Sequence, residues 1–293
     1  MRTIHFFDLD DTLWKINGNV WIINKNNPSK PIIKLNKIEL YDILSGIHIN
    51  DEIKIDYNGN TYWISENMFN KIKKRYPNIS EDQIGISFIE FTNPYIINKI
   101  SIFRENIRHI IGNKDDEIGI LSARYSEEND NLLLSALKKE LENNGLFIDK
   151  FYYVGDFFKS KVNDDIAYKK SNVILEHLIG FKIKNDHFLP IKQDKYDIIY
   201  FYDDEFKNIQ VANEIQILLE EYLRNTEDEV FNRIMKLLET SKPILYNNLI
   251  TNNSLNRFKT TKVELTKPIT FPIKIEESYN ILKFSQFKND TKL

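Results

Sequence analysis

Two carboxylates one residue apart, Asp8 and Asp10, stand in the acidic run Asp8-Leu9-Asp10-Asp11-Thr12, directly after the mostly apolar stretch Thr3–Phe7. Ser122 closes a second apolar run, the acid pair Asp203-Asp204 closes a third, and two lysines stand at 169 and 170. These residue types together suit phosphoryl transfer, which needs a nucleophile, an acid/base and neutralisation of the charge on the transferred group. Asp8 can act as the nucleophile by forming an aspartyl-phosphate. Asp10 can protonate the leaving oxygen and then activate water. Mg²⁺ takes hard oxygen ligands; Asp8, Asp203 and the backbone carbonyl of Asp10 can supply them, with Asp204 as the further acid of the metal set. Ser122 can donate to a phosphate oxygen, Thr12 and Arg124 are further candidate substrate contacts, and Lys170 can offset the remaining charge.

Such a set works only if the chain delivers it to one place. Residues 117–121, 150–154 and 196–202 are apolar runs of strand length, each followed by a polar turn. Helical patterning lies between them, at about 127–142, 168–178, 205–222 and 227–238. Strands alternating with helices predict an α/β fold with a mostly parallel sheet, whose ligands bind beyond the carboxyl ends of the strands. Asp8, Ser122 and Asp203 each stand at such an end. Between Asn17 and Asp56 the chain reads as strands and turns; helical patterning follows near Ser65 and again over 94–111, with Asn93 as N-cap and Gly112 as stop. The segment between Leu178 and Tyr196 reads as a polar loop. From about Lys242 prolines interrupt the pattern, and 260–275 reads as extended chain: a docking arm, an added edge strand or a partner-binding tail.

The motifs resemble those of the haloacid dehalogenase-like superfamily. Phe6-Phe7-Asp8-Leu9-Asp10-Asp11-Thr12-Leu13 is similar to its first motif, Ile118-Gly119-Ile120-Leu121-Ser122 to its second and Ile198-Ile199-Tyr200-Phe201-Tyr202-Asp203-Asp204 to its fourth. The third motif is a lysine near a helix start; Lys170 fits it best, with Lys169 as the alternative. The resemblance covers about residues 1–15 and 112–225. It implies a Rossmann-like core over 1–15 and 112–240, Mg²⁺ dependence and phosphatase chemistry, with Asp10 favouring a phosphatase over the dehalogenase branch. It implies a mixed α+β cap over 16–111, leaving 241–293 as a C-terminal extension. Residues 19–44 also resemble the insert of small bacteriophage-encoded members, in which a hairpin precedes a phrase like Ile33-Lys34-Leu35-Asn36-Lys37-Ile38-Glu39-Leu40-Tyr41. That likeness favours a nucleotide or a nucleic-acid end as substrate; a small-metabolite phosphatase, or a non-catalytic domain binding a protein partner through the extension, is the alternative.

Bland readings stand beside these. Asp-rich loops cap helices and shape turns, and Ser122 can cap the helix after it. His5, on the buried strand, reads as a satisfied core histidine. Trp14, Trp21 and Trp63 can stack a base but more often pack. Val154-Gly155-Asp156 resembles another family ending, without a second acid at the usual spacing. The chain of 293 residues has no cysteine, which excludes disulfides, thiolate metal sites and cysteine nucleophiles. Its formal charge of -3 offers no global basic excess for nucleic acid or a membrane surface. The acidic residues in its first dozen positions interrupt any signal-peptide core, and the expected location is the cytoplasm, that of the host for a phage protein.

Overall fold

The structure, a computed structural model, describes residues 1–16, 18–36, 52–57, 60–92, 101–103, 115–124, 131–155, 166–250 and 259–268. Strand β1 (Thr3–Phe7) is the buried run Thr-Ile-His-Phe-Phe, and its burial on both faces explains the absence of polar alternation. An inserted region follows: β2 (Trp14–Ile16), β3 (Val20–Asn24), β4 (Asn27–Leu35), β5 (Glu52–Tyr57), β6 (Asn60–Ser65), α1 (Glu66–Arg75), β7 (Ile84–Ser87), α2 (Ile89–Thr92) and β8 (Ser101–Phe103). Strands β4, β3 and β7 form an antiparallel sheet, and β5 and β6 a hairpin. Ser65 caps α1 by accepting from the Met68 N–H at 3.3 Å. Val20, Ile22, Leu35, Ile55, Ile64, Phe69, Ile72, Ile84 and Ile86 close a hydrophobic core made of this region's own residues.

The helix predicted over 94–111 is corrected at the three of its residues that are described. Ser101–Phe103 is a strand, paired antiparallel with Trp14–Ile16, so backbone pairing at the stem of the insertion overrides the local helical period. The rest of that prediction, its caps included, lies outside the described residues.

The chain then builds β9 (Glu117–Ser122), α3 (Asn131–Asn143), β10 (Lys150–Tyr153), α4 (Ile166–Ile179), the hairpin β11 (Phe181–Lys184) and β12 (His187–Lys192), β13 (Ile198–Asp203), α5 (Phe206–Asn213), α6 (Ile215–Arg224), α7 (Asp228–Ser241), β14 (Ile244–Leu249) and β15 (Lys259–Glu264). The polar loop expected after Leu178 is thus a hairpin, turning through Asn185 and Asp186, both left-handed at φ 49° and 60°. The long helix expected near 205–222 is two helices, divided at Glu214.

Six strands form the central sheet in the order β10-β9-β1-β13-β14-β15, parallel except for β15. The protein is therefore α/β with a mostly parallel sheet. The sheet continues past residue 240: the segment expected to extend from the core contributes β14, a parallel neighbour of β13, and β15 at the edge. Ile4, Phe6, Leu121, Ile199, Phe201 and Leu245 face one layer of helices, α4 to α7. Phe7, Ile118, Ile120 and Tyr202 face the other side, where α3 contributes Leu141. Among the described residues no helix is long and apolar enough to cross a membrane.

Candidate active site

β1 lies between β9 and β13, in register Phe7↔Ile120 and Phe7↔Tyr202. The three strands therefore end at one rim, and the residues after them are brought together. Asp8 stays in the ladder by donating its N–H to the Tyr202 carbonyl at 2.8 Å. The chain then turns sharply: Asp11 is left-handed at φ 60°, a region that Asp tolerates better than most residues, and Leu13 N–H closes back on Leu9 O at 3.1 Å. Leu9 and Leu13 are buried and anchor the loop.

Lys170 joins the ends of β1 and β13. Its ammonium donates to Asp8 Oδ1 at 2.6 Å and to Asp203 Oδ2 at 2.7 Å, with all three side chains buried. It sits on the buried face of α4 with Ala167, Ser171, Ile174, Leu175 and Leu178, the spacing of one helical stripe. Lys169, about 100° round the helix, is only half-buried.

Asp203 is held in place by several donors. The Glu205 N–H donates to Oδ1 at 2.9 Å, and Asn208 Nδ2 lies 3.0 Å from both oxygens. Asp204 accepts from the Thr12 hydroxyl at 3.1 Å, which ties the loop after β1 to the β13 end. Carboxylate oxygens of Asp8, Asp203 and Asp204 lie within 4.8 Å of one another. Three clustered hard oxygen donors, two of them buried, fit a divalent cation such as Mg²⁺. Asp10 lies outside this cluster: its two oxygens accept from Arg124 Nη2 at 2.7 Å and Nε at 2.8 Å.

Ser122 is buried at the end of β9, its Oγ accepting from the Arg124 N–H at 3.2 Å, so its own proton is left to donate. The loop after it is held by the neighbouring strand end. Val154 N–H reaches Ser122 O at 2.9 Å and Gly155 N–H reaches Arg124 O at 3.1 Å. A Cβ on Gly155 would fall 1.6 Å from Ala123 O, so only glycine admits this approach.

Burial is the largest influence on Asp8 and pushes its pKa up to about 8; Lys170 pulls it down, and the Asp203, Asp10 and Asp204 carboxylates push it up. Burial opposes the charge on Lys170, but Asp8 and Asp203 outweigh it and hold the ammonium above its usual value. Burial likewise opposes the charge on Arg124, and Asp10 raises it.

The sequence-predicted residues Asp8, Asp10, Thr12, Ser122, Arg124, Lys170, Asp203 and Asp204 thus lie at this rim, and of the two lysines it is Lys170 that contacts Asp8 and Asp203. Asn208 went unnoticed in the sequence, its signal an amide four residues after the acid pair; Gly155 was noticed only as part of the rival ending Val154-Gly155-Asp156, and the structure gives it the role of admitting the Ser122–Arg124 loop. His5 is the expected core histidine, against Tyr202 Oη at 3.2 Å and Asp116 Oδ2 at 3.1 Å. The Trp21 indole N–H is tied to Glu90 at 2.7 Å. Asp156, of the rival motif, lies outside the described residues. No family model, curated protein or solved structure matches the chain.

Proposed function

We propose that the protein is a Mg²⁺-dependent phosphomonoester hydrolase of the haloacid dehalogenase-like kind, acting through an aspartyl-phosphate on Asp8. The observation that carries this reading is the buried Asp8–Lys170–Asp203 bridge, with Asp204 alongside. Three segments distant in sequence meet there, the ends of β1 and β13 and the start of α4, and they supply acids and a cation of the kinds phosphoryl transfer uses. A buried cluster of acids around one lysine is a costly way to build a core, since desolvation opposes each charge.

An Asp8 oxygen attacks phosphorus and the bond to the leaving oxygen breaks. Asp10 gives that oxygen a proton. Water then attacks phosphorus, passing its proton to Asp10, and the bond to Asp8 breaks to release inorganic phosphate. Ser122 donates to a phosphoryl oxygen, while Lys170 orients Asp8 and offsets its charge. Asp8, Asp203 and Asp204 would hold the cation, which supplies further neutralisation of the transferred group. Asn208 and the Glu205 N–H fix Asp203 for that task. The insertion 16–111, with its own core, is proposed as the cap that selects substrate, with a nucleotide or a nucleic-acid terminal phosphate as the first class to test.

The test is a phosphatase panel of nucleotides, sugar phosphates and 3′- or 5′-phosphorylated oligonucleotides, with Mg²⁺ or with EDTA. Turnover is expected with Mg²⁺ only, and Asp8→Asn should abolish it while the fold survives. Steady-state turnover of p-nitrophenyl phosphate by Asp8→Asn, or full activity in chelated buffer, would refute the assignment.

A further inference from the structure

In the proposed reaction Asp10 hands a proton to the leaving oxygen, yet here both of its oxygens are directed at the Arg124 guanidinium, in a bidentate pair at 2.7 and 2.8 Å. Arg124 is well placed for a second partner. Its backbone is pinned on both sides, N–H to Ser122 Oγ at 3.2 Å and carbonyl to Gly155 N–H at 3.1 Å. It thus stands two residues from the hydroxyl expected to contact phosphate.

Two described cations line the site, and they differ in what they can do. Lys170 is 1% exposed and bridges two buried acids, so releasing it would strand both. The Arg124 side chain is 13% exposed and its carboxylate partner Asp10 31%, so parting this pair would strand one half-exposed acid rather than two buried ones. A phosphoryl group presents a guanidinium with the same pair of oxygens as a carboxylate, and with more charge.

We infer that Arg124 exchanges partners: it holds Asp10 in the free protein and takes the phosphoryl oxygens when substrate arrives, releasing Asp10 to serve the leaving group. The pair thereby couples the acid/base step to occupation of the phosphate site, and keeps Asp10 turned away while that site is empty. This rests on the phosphatase reading and adds a gate to it.

Inorganic phosphate in Mg²⁺ buffer, titrated calorimetrically into the native protein, Asp10→Asn, Arg124→Gln and the double variant, tests the exchange. Losing one bidentate charged contact should weaken phosphate binding about 10-fold or more in Arg124→Gln. Asp10→Asn should tighten it several-fold, because Arg124 no longer has to leave a carboxylate. The double variant decides between exchange and plain repulsion of phosphate by Asp10: exchange predicts that the Asp10→Asn gain disappears without the arginine. A gain that persists in full overturns the proposal, as does unchanged affinity in Arg124→Gln. Arg124→Lys, which keeps the charge but not the fork, serves the same cycle if the glutamine variant does not fold, and should also bind phosphate more weakly than native. A native protein that neither binds phosphate nor turns over any substrate sinks the phosphatase reading along with the exchange. One that binds and turns over while the cycle is additive sinks the exchange alone.

Discussion

Replacing Lys170 by methionine should destabilise the protein by about 3–5 kcal/mol, the range for removing one partner of a buried ionic cluster. The magnitude follows from the geometry. The ammonium makes two charge-assisted hydrogen bonds, 2.6 and 2.7 Å long, to carboxylates that are themselves buried. Each such bond contributes about 1.5–3 kcal/mol. Methionine retains an unbranched stem of similar length, so packing on α4 changes little and the loss reports the charges. With the cation gone, Asp8 loses the charge that lowers its pKa while burial and the neighbouring carboxylates still raise it, so the folded state holds the Asp8 proton more tightly than the unfolded chain. A group whose folded pKa is raised costs stability as pH climbs above its unfolded value, so the deficit should be larger at pH 8 than at pH 5. The assay is equilibrium urea unfolding in EDTA, which removes metal as a substitute cation, with Lys169→Met, at the half-buried neighbouring position, as the control expected within about 0.5 kcal/mol of native. Adding Asp8→Asn to Lys170→Met should recover part of the loss. A deficit below about 1 kcal/mol at pH 8, or one no larger than the Lys169→Met effect, would refute the buried bridge.

Other perturbations reach the site or the core from different sides. Gly155→Ala should lower turnover of p-nitrophenyl phosphate by roughly 10-fold or more, because the new Cβ displaces the Ser122–Arg124 loop; native kinetics would show that the loop yields freely. Asn208→Ala should weaken Mg²⁺ binding about 10–100-fold by loosening Asp203, measured by titration calorimetry with Asp203→Ala as the limit; unchanged affinity would place the cation away from Asp203. His177 is buried between Asp194 O and Tyr152 Oη, and burial, the largest influence, lowers its pKa to about 4. The unfolded chain therefore binds this proton first, so stability is full above about pH 6.5 and falls by up to about 3 kcal/mol as pH drops towards 4. His177→Gln should lose that part of the pH dependence; parallel native and variant profiles between pH 4 and 6.5 would contradict it.

The core strands carrying Asp8, Ser122 and Asp203 were legible in the sequence because buried parallel strands are continuous apolar runs, and each ends abruptly at a polar group. Lys170 was half legible: the helix was clear, but choosing between adjacent lysines required knowing which face packs on the sheet. The hairpin 181–192 read as a loop because Lys182, Lys184 and Lys192 hide its short alternation, although Asn185-Asp186 was a turn signal of the right kind. Ser101–Phe103 misled for the opposite reason: local period said helix, and a partner strand far upstream, paired from Trp14↔Phe103 to Ile16↔Ser101, decided for strand. β14 was missed because Asn247 and Asn248 interrupt its apolar run. Both are buried: Asn247 donates to Asn213 Oδ1 at 2.8 Å, and Asn248 to the Phe201 carbonyl at 3.2 Å.

Why a lysine in α4, rather than one beside Asp8 in sequence, bridges Asp8 and Asp203 follows from the winding of the chain. From β1 the core runs outward through β9 to β10, then must return across β1 to reach β13 on its other side. That reversal makes the ends of β1 and its neighbours a crevice, and α4 lies in the connection that crosses it. A helix returning from strand ends to strand starts begins at the carboxyl rim. Lys170 is its fifth residue, about 6 Å below the first at 1.5 Å per residue. Side chains on a helix lean towards its N-terminus, so a long one at this depth reaches back up to the rim, between β1 and β13. A short polar residue at the same position would leave no cation between Asp8 and Asp203. Lysine has both the reach and the charge, and its apolar stem covers the sheet on the way.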